Sequence, residues 1–134
     1  MVELAVTDTH SLLWYGTGVM RRLGREARRL FERADAGHAA IFVPTFCLVE
    51  IAENARLGRI SLDGSFVAWE EALFGSGRYF PIDLTREIVR TAERLYGIRE
   101  RGDRLIAASA VELGAPLITR DPEITKTAGV TTIW

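Results

Sequence analysis

The chain has few of the residues that would tie it to an oxidising compartment, a bilayer or a bulk polyanion. Cys47 is its one cysteine in 134 residues, so no disulfide can form within the chain. Set in the apolar stretch 46–51, it reads as a small buried hydrophobe in a reducing cytosol, and a cytoplasmic location is expected. No apolar run nears the ~20 residues a membrane-spanning helix requires. The first residues enter a short apolar run with no basic segment ahead of it, so no signal peptide is expected. Glutamine is absent, Asn54 is the single asparagine, and Lys126 is the single lysine among 17 basic residues. Loss of heat-labile amides fits this bias, although hyperthermophile composition normally favours Lys with Glu. A net charge of −1 gives no support to a protein that binds nucleic acid through bulk positive charge. Any phosphate contact must come from local arginines, whose planar forks suit it.

What is present is a chain 48% apolar, enough to pack a core. It has no repeat, linker or low-complexity tract, so a single domain over 1–134 is expected. Strand-like runs at 2–7, 39–43, 78–82, 116–119 and 131–134 alternate with helical spacing. Leu23, Ala27, Leu30, Phe31 and Ala34 share one helical stripe, and Arg25, Arg28, Arg29 and Arg33 occupy the opposite face, read as solvated. Thr45 is expected to cap a helix that Gly58 stops, and Ser61 to cap one striped by Leu62, Phe66, Trp69 and Leu73. Thr85 should cap a helix with Ile88, Val89, Ala92, Leu95 and Tyr96 facing inward. The segment 103–113 should be a buried helix ended by Gly114, and 123–128 a short helix. Pro81 lacks a donor and places its strand at an edge or a strand end. Alternating elements predict an α/β fold with about five parallel strands and helices on both faces.

Four carboxylates stand out by position. Asp8 follows the first strand, Glu50 lies in the helix after the second, Asp103 opens the apolar helix, and Asp121 follows the run 116–119. In a parallel sheet such positions converge on one edge, where ligands bind. Each has a simpler reading. Asp8 can cap a helix, Asp103 can start one beside Arg99, Arg101 and Arg104, and Asp121 before Pro122 can make a turn. Glu53 rivals Glu50, and both can pair with Arg56; Glu50 is preferred because it lies nearer the helix start. Jointly, four acids meeting at one edge would repel unless one took up a proton or a cation neutralised the group. An all-oxygen donor set selects a hard cation such as Mg²⁺. Two other enzyme classes fit poorly. A receiver domain wants a lysine after its last strand, and Lys126 precedes 131–134. A haloacid-type phosphatase wants an acid where His10 stands.

Several segments carry a resemblance. They are Thr7-Asp8-Thr9-His10-Ser11-Leu12-Leu13-Trp14; Val43-Pro44-Thr45 leading into Val49-Glu50-Ile51-Ala52, with Arg56-Leu57-Gly58-Arg59-Ile60 behind; and Gly102-Asp103-Arg104-Leu105-Ile106-Ala107-Ala108-Ser109-Ala110, continuing to Leu117-Ile118-Thr119-Arg120-Asp121. With these the sequence resembles the PIN-domain ribonucleases, in particular VapC-type toxins of toxin–antitoxin pairs. The resemblance implies a three-layer α/β/α, PIN-like domain around a central parallel sheet, and Mg²⁺- or Mn²⁺-dependent cleavage of single-stranded RNA. It implies Asp8 and Asp103 as principal metal ligands, Glu50 and Asp121 as the acids completing the site, and Thr119 as a nearby hydroxyl. It further implies a homodimer and a small antitoxin partner that silences the enzyme. Arg101-Gly102 stands where relatives often carry an acidic or small residue. RNA backbone contacts are expected from Arg99, Arg101, Arg104 and Arg120. The alternatives are a housekeeping RNase without an antitoxin and a catalytically idle binding module.

Overall fold

The computed structural model describes residues 2–134. Five strands, β1 (Glu3–Thr7), β2 (Ala39–Pro44), β3 (Tyr79–Ile82), β4 (Leu117–Ile118) and β5 (Thr132–Ile133), form one sheet in the order β3-β2-β1-β4-β5. Every ladder is parallel. The connections are α1 (Thr9–Gly16), a 3₁₀ turn (Met20–Arg22), α2 (Arg25–Asp35), α3 (Thr45–Arg56), α4 (Phe66–Gly75), α5 (Arg86–Arg94), α6 (Arg101–Leu113) and α7 (Pro122–Thr125). This is the α/β architecture that the alternation of elements predicts. No helix among the described residues is long and apolar enough to cross a membrane.

Register explains the layers. Ala5, Ile41 and Tyr79 lie side by side across β1, β2 and β3, and all are buried. Their face is packed by the stripe Ala27, Leu30, Phe31 and Ala34 of α2, with Tyr15 stacked on Phe31 at 4.7 Å. Full burial of Leu30 and Phe31 contributes about 1.5–3 kcal/mol each. The neighbouring trio Val6, Phe42 and Phe80 points the other way, and exposure there climbs from 0% at Val6 to 37% at Phe80. On that side α6 packs on β1 and α5 packs on α6, which leaves the β3 flank thinly covered. Pro81 sits on edge strand β3, where a missing donor costs no ladder bond.

Several local expectations are corrected. Thr45 is the first residue of α3 rather than its cap, because β2 runs into the helix without a loop and Pro44, with no side-chain acceptor, takes the cap position. The fourth helix is capped by Ser65, whose hydroxyl accepts from Ala68 N at 3.1 Å; Ser61 and Leu62 lie in the preceding loop, before the bend where Gly64 turns the chain at φ +81°. Val89 and Tyr96 are exposed, at 46% and 81%: α5 packs through Ile88, Thr91 and Ala92 alone and ends before Tyr96. The last helix is one turn, Pro122–Thr125, shorter than 123–128 suggested. Thr85 does cap α5, accepting from Ile88 N at 3.2 Å. Cys47 is fully buried, its thiol directed at Thr7 O, and burial pushes that thiol far above its usual range.

Candidate active site

The order of strands makes β1 the switch point, with β2 on one side and β4 on the other, and a crevice opens beyond their carboxyl ends. Asp8 is delivered there by the shortest possible link, since β1 ends at Thr7 and α1 begins at Thr9. Its Oδ1 accepts from Ser11 N at 2.9 Å, so the acid does cap α1, and the cap orients its carboxylate. Asp121 is built alike: Oδ1 accepts from Glu123 N at 2.9 Å, and the buried Thr119 Oγ1 accepts from Asp121 N at 3.2 Å. Capping and a role in the cleft are therefore compatible, because each cap engages only one carboxylate oxygen.

Glu50 is held by a residue that sequence reasoning passed over. Thr9 Oγ1, buried under α1, donates to Glu50 Oε1 at 2.5 Å and ties α3 to the turn carrying Asp8. Glu53, one turn on, is exposed and makes no such bond. Gly102 accounts for the closeness of α6: a Cβ there would lie 2.7 Å from Phe46 Cε2 and 3.5 Å from Glu50 Oε2. The missing side chain lets the start of α6 press against α3 and brings Asp103 into the field of Glu50.

Asp8, Asp103 and Asp121 line one cleft of about 370 Å³ together with His10, Trp14, Arg22 and Arg120. Asp103 and Asp121 also wall an adjoining hollow with Arg99, Glu100 and Glu123. Glu50 lines neither hollow. Half-burial raises the Asp103 carboxyl from its usual 3.8 to about 7, reinforced by Asp121 within hydrogen-bonding reach and then by Glu50 and Glu100. None of the four acids is ion-paired among the described residues.

The arginines differ in how they are held. Arg104 Nη1 donates to the Ile98 and Arg99 carbonyls at 2.9 Å each, which ties its guanidinium to the start of α6. Arg99 meets Glu123 at 3.1 Å in an exposed pair beside the second hollow. Arg101 is exposed at the head of α6. Arg120 lies with Cζ 4.7 Å from the centre of the Trp14 ring, and Arg22 lies 5.8 Å from it. Trp14, Arg22 and His10 were not singled out as cleft residues from sequence. The i, i+4 spacing of His10 and Trp14 behind Asp8 carried that signal for the first helix; nothing local announced Arg22.

The chemistry of the donor set fits a hard divalent cation: oxygen ligands only, excess negative charge, and a carboxyl pushed toward protonation by its neighbours. The side chains are not drawn into a closed shell, for no group of three or more His, Cys, Asp or Glu among the described residues is arranged to hold a metal ion.

A parallel α/β domain with acids gathered beyond the switch point is a recognisable class. A profile of the PIN domain matches residues 5–130, and the chain belongs to that family, whose membership implies nuclease activity. No curated protein matches the sequence. Solved structures similar in fold include VapBC2 from Rickettsia felis bound to a DNA fragment from its promoter, 14% identical with a TM-score of 0.69 over 97% of each chain. A toxin–antitoxin complex from Klebsiella pneumoniae is 20% identical, with a TM-score of 0.65 over 96% of each chain. DNA-bound VapBC from Salmonella typhimurium is 13% identical, with a TM-score of 0.65 over 99% of this chain and 98% of that one.

Proposed function

We propose that this protein is a divalent-metal-dependent endoribonuclease acting on single-stranded RNA, and that it is the toxin of a toxin–antitoxin pair. The observation that carries the enzymatic reading is the unpaired acid group at the carboxyl edge of the sheet: four carboxylates, none in an ion pair among the described residues, and Asp103 raised to about 7. Asp8 and Asp103 are the principal ligands of Mg²⁺ or Mn²⁺, and Glu50 and Asp121 complete the site directly or through water. The bound ion supplies an acidified water and countercharge for the scissile phosphate. The chain's own contribution is preorganisation. Ser11 N fixes Asp8, Thr9 fixes Glu50, and Thr119 fixes the Asp121 turn. Asp103, whose carboxyl burial and neighbouring acids raise to about 7, must be deprotonated to act as a ligand.

The toxin reading is supported by fold likeness to chains from complexes described as VapBC or toxin–antitoxin. A homodimer, a small antitoxin partner and a cytoplasmic location belong to the same reading. The test is cleavage of defined single-stranded RNAs by the purified protein with Mg²⁺ or Mn²⁺, with and without chelator. We expect cleavage that chelator abolishes and that is lost in the double variant Asp8→Asn, Asp103→Asn. Full activity in that variant, or indifference to chelator, would overturn the assignment.

A further inference from the structure

We propose that Trp14, Arg22 and Arg120 form a platform that stacks one unpaired base and grips the adjoining phosphate of single-stranded RNA beside the acid group. The inference rests on the nuclease reading and adds the means by which substrate is held. A cleft walled by Asp8, Asp103 and Asp121 repels the phosphates that flank the scissile one, and fixed positive charge on the same cleft offsets that repulsion. Two cations line the cleft, Arg22 and Arg120, and neither enters an ion pair among the described residues. Arg104 is tied to backbone carbonyls, and Arg99 lines the adjoining hollow rather than this cleft. Both cleft arginines are posed against the same indole, at 4.7 and 5.8 Å, within the range of cation–π attraction.

The indole is itself built in. Trp134 meets Trp14 edge-on, with centroids 6.1 Å apart at 72°, and Trp134 lies so close to Gly24 that a Cβ there would come within 2.4 Å of its backbone carbon. His10 flanks Trp14 at 5.7 Å. Side chains remote in sequence thus fix one partly buried aromatic ring on the lining of the acidic cleft. A planar guanidinium on an indole offers what an unpaired nucleotide needs: a stacking surface for the base and a donor fork for the phosphate. A paired base has no free face to offer, so the platform selects single strands.

The test is a fluorescence-anisotropy titration of the full chain with a short labelled single-stranded RNA in chelator, where turnover is off. Trp14→Ala and Arg120→Gln should each weaken binding by about tenfold or more, and Trp14→Phe, which keeps a ring face, should lose much less. Arg22→Gln and Arg120→Gln should each flatten the dependence of log K on log salt by about 0.7. Duplex RNA of the same sequence should bind more weakly and be indifferent to Trp14→Phe and Trp14→Ala alike. Under turnover, the arginine variants should raise KM and leave kcat within about twofold. Failure of the wild type to bind, or wild-type affinity and salt slope in all the variants, overturns the platform. Trp14-dependent binding without metal-dependent cleavage sustains the platform and sinks the nuclease reading. Cleavage with KM untouched by the variants does the reverse.

Discussion

Along the arginine face of α2, Arg29 and Arg33 lie 3.1 Å and 2.8 Å from Glu3 at the start of β1, Arg29 also reaches Glu26 at 2.9 Å, and Arg28 reaches Glu32 at 2.8 Å. At the carboxyl edge of the sheet, Asp8, Glu50, Asp103 and Asp121 have hydrogen-bond donors or one another but enter no ion pair among the described residues. The two regions move carboxyl groups in opposite directions. The Arg29 guanidinium holds Glu3 below its usual range, and burial among other acids pushes Asp103 up. Charge in the first region is closed on itself and serves the fold. In the second it is left open, and a cleft of unpaired acids with a shifted carboxyl is the arrangement functional sites share.

The largest effect that can break this contrast is metal-induced stabilisation. Mg²⁺ or Mn²⁺ at about one hundred times its dissociation constant should add about 2.7 kcal/mol, a rise in Tm on the order of 10 °C for a chain of this size. Asp103→Asn should abolish the rise while making the metal-free protein no less stable, since it removes a charge its neighbours repel. Glu3→Gln should keep the rise intact. Equal loss of the metal response in both variants, read by differential scanning calorimetry, would erase the distinction between the two regions.

A smaller effect sharpens it through pH. The folded-state pKa of Asp103, about 7, lies above its unfolded value of 3.8, so between those values the folded chain binds more protons than the unfolded one. Without metal, stability should therefore be greatest near the acid end of that window and decline as pH rises through about 7. Because Asp103 is only half-buried, solvent screening limits the size of the slope. In Asp103→Asn the decline should vanish. A metal-free wild type whose Tm is flat or rising from pH 5 to about 7, once the paired acids are accounted for, contradicts the arrangement described for Asp103 and Asp121.

Much of this was legible from the chain because short-range rules decide it. Strand runs followed at once by Asp8, or by Thr119-Arg120-Asp121, need only the parallel-sheet rule to be set on one edge, and the α2 stripe needs only helical spacing. What failed to show did so for identifiable reasons. Ser61 and Ser65 are both competent caps, and the choice fell to the turn at Gly64, whose positive φ no residue pattern announces. Val89 looked inward because periodicity ignores how many layers lie beyond a helix; α5 has one neighbour surface, so only one stripe is buried. At the site, the preference for Glu50 rested on nearness to the helix start, whereas its actual anchor is Thr9, 41 residues away. The Arg99 partner, Glu123, is 24 residues away and brought near only by tertiary packing, whereas Arg104 reaches carbonyls five and six residues back, in the turn that precedes α6. Arg22 reaches the cleft through the 3₁₀ turn, a connection without a sequence signature.

The smallest effect probes the closed region. Glu3→Gln should lower Tm by only about one or two degrees at pH 7, because exposed pairs gain little in high dielectric and cost side-chain freedom. The sign of its pH dependence is opposite to that of Asp103. The folded pKa of Glu3 lies below its usual 4.5, so its contribution is present above that value and fades as pH falls through the lowered folded pKa. Wild type and Glu3→Gln should therefore converge in acid, and should converge again in about 1 M salt, where the screening length shrinks to a few ångströms. A Glu3→Gln loss that persisted in high salt would mean that Glu3 acts by packing rather than by charge. The α2 face would then no longer be the electrostatically closed region against which the open acid cluster is defined.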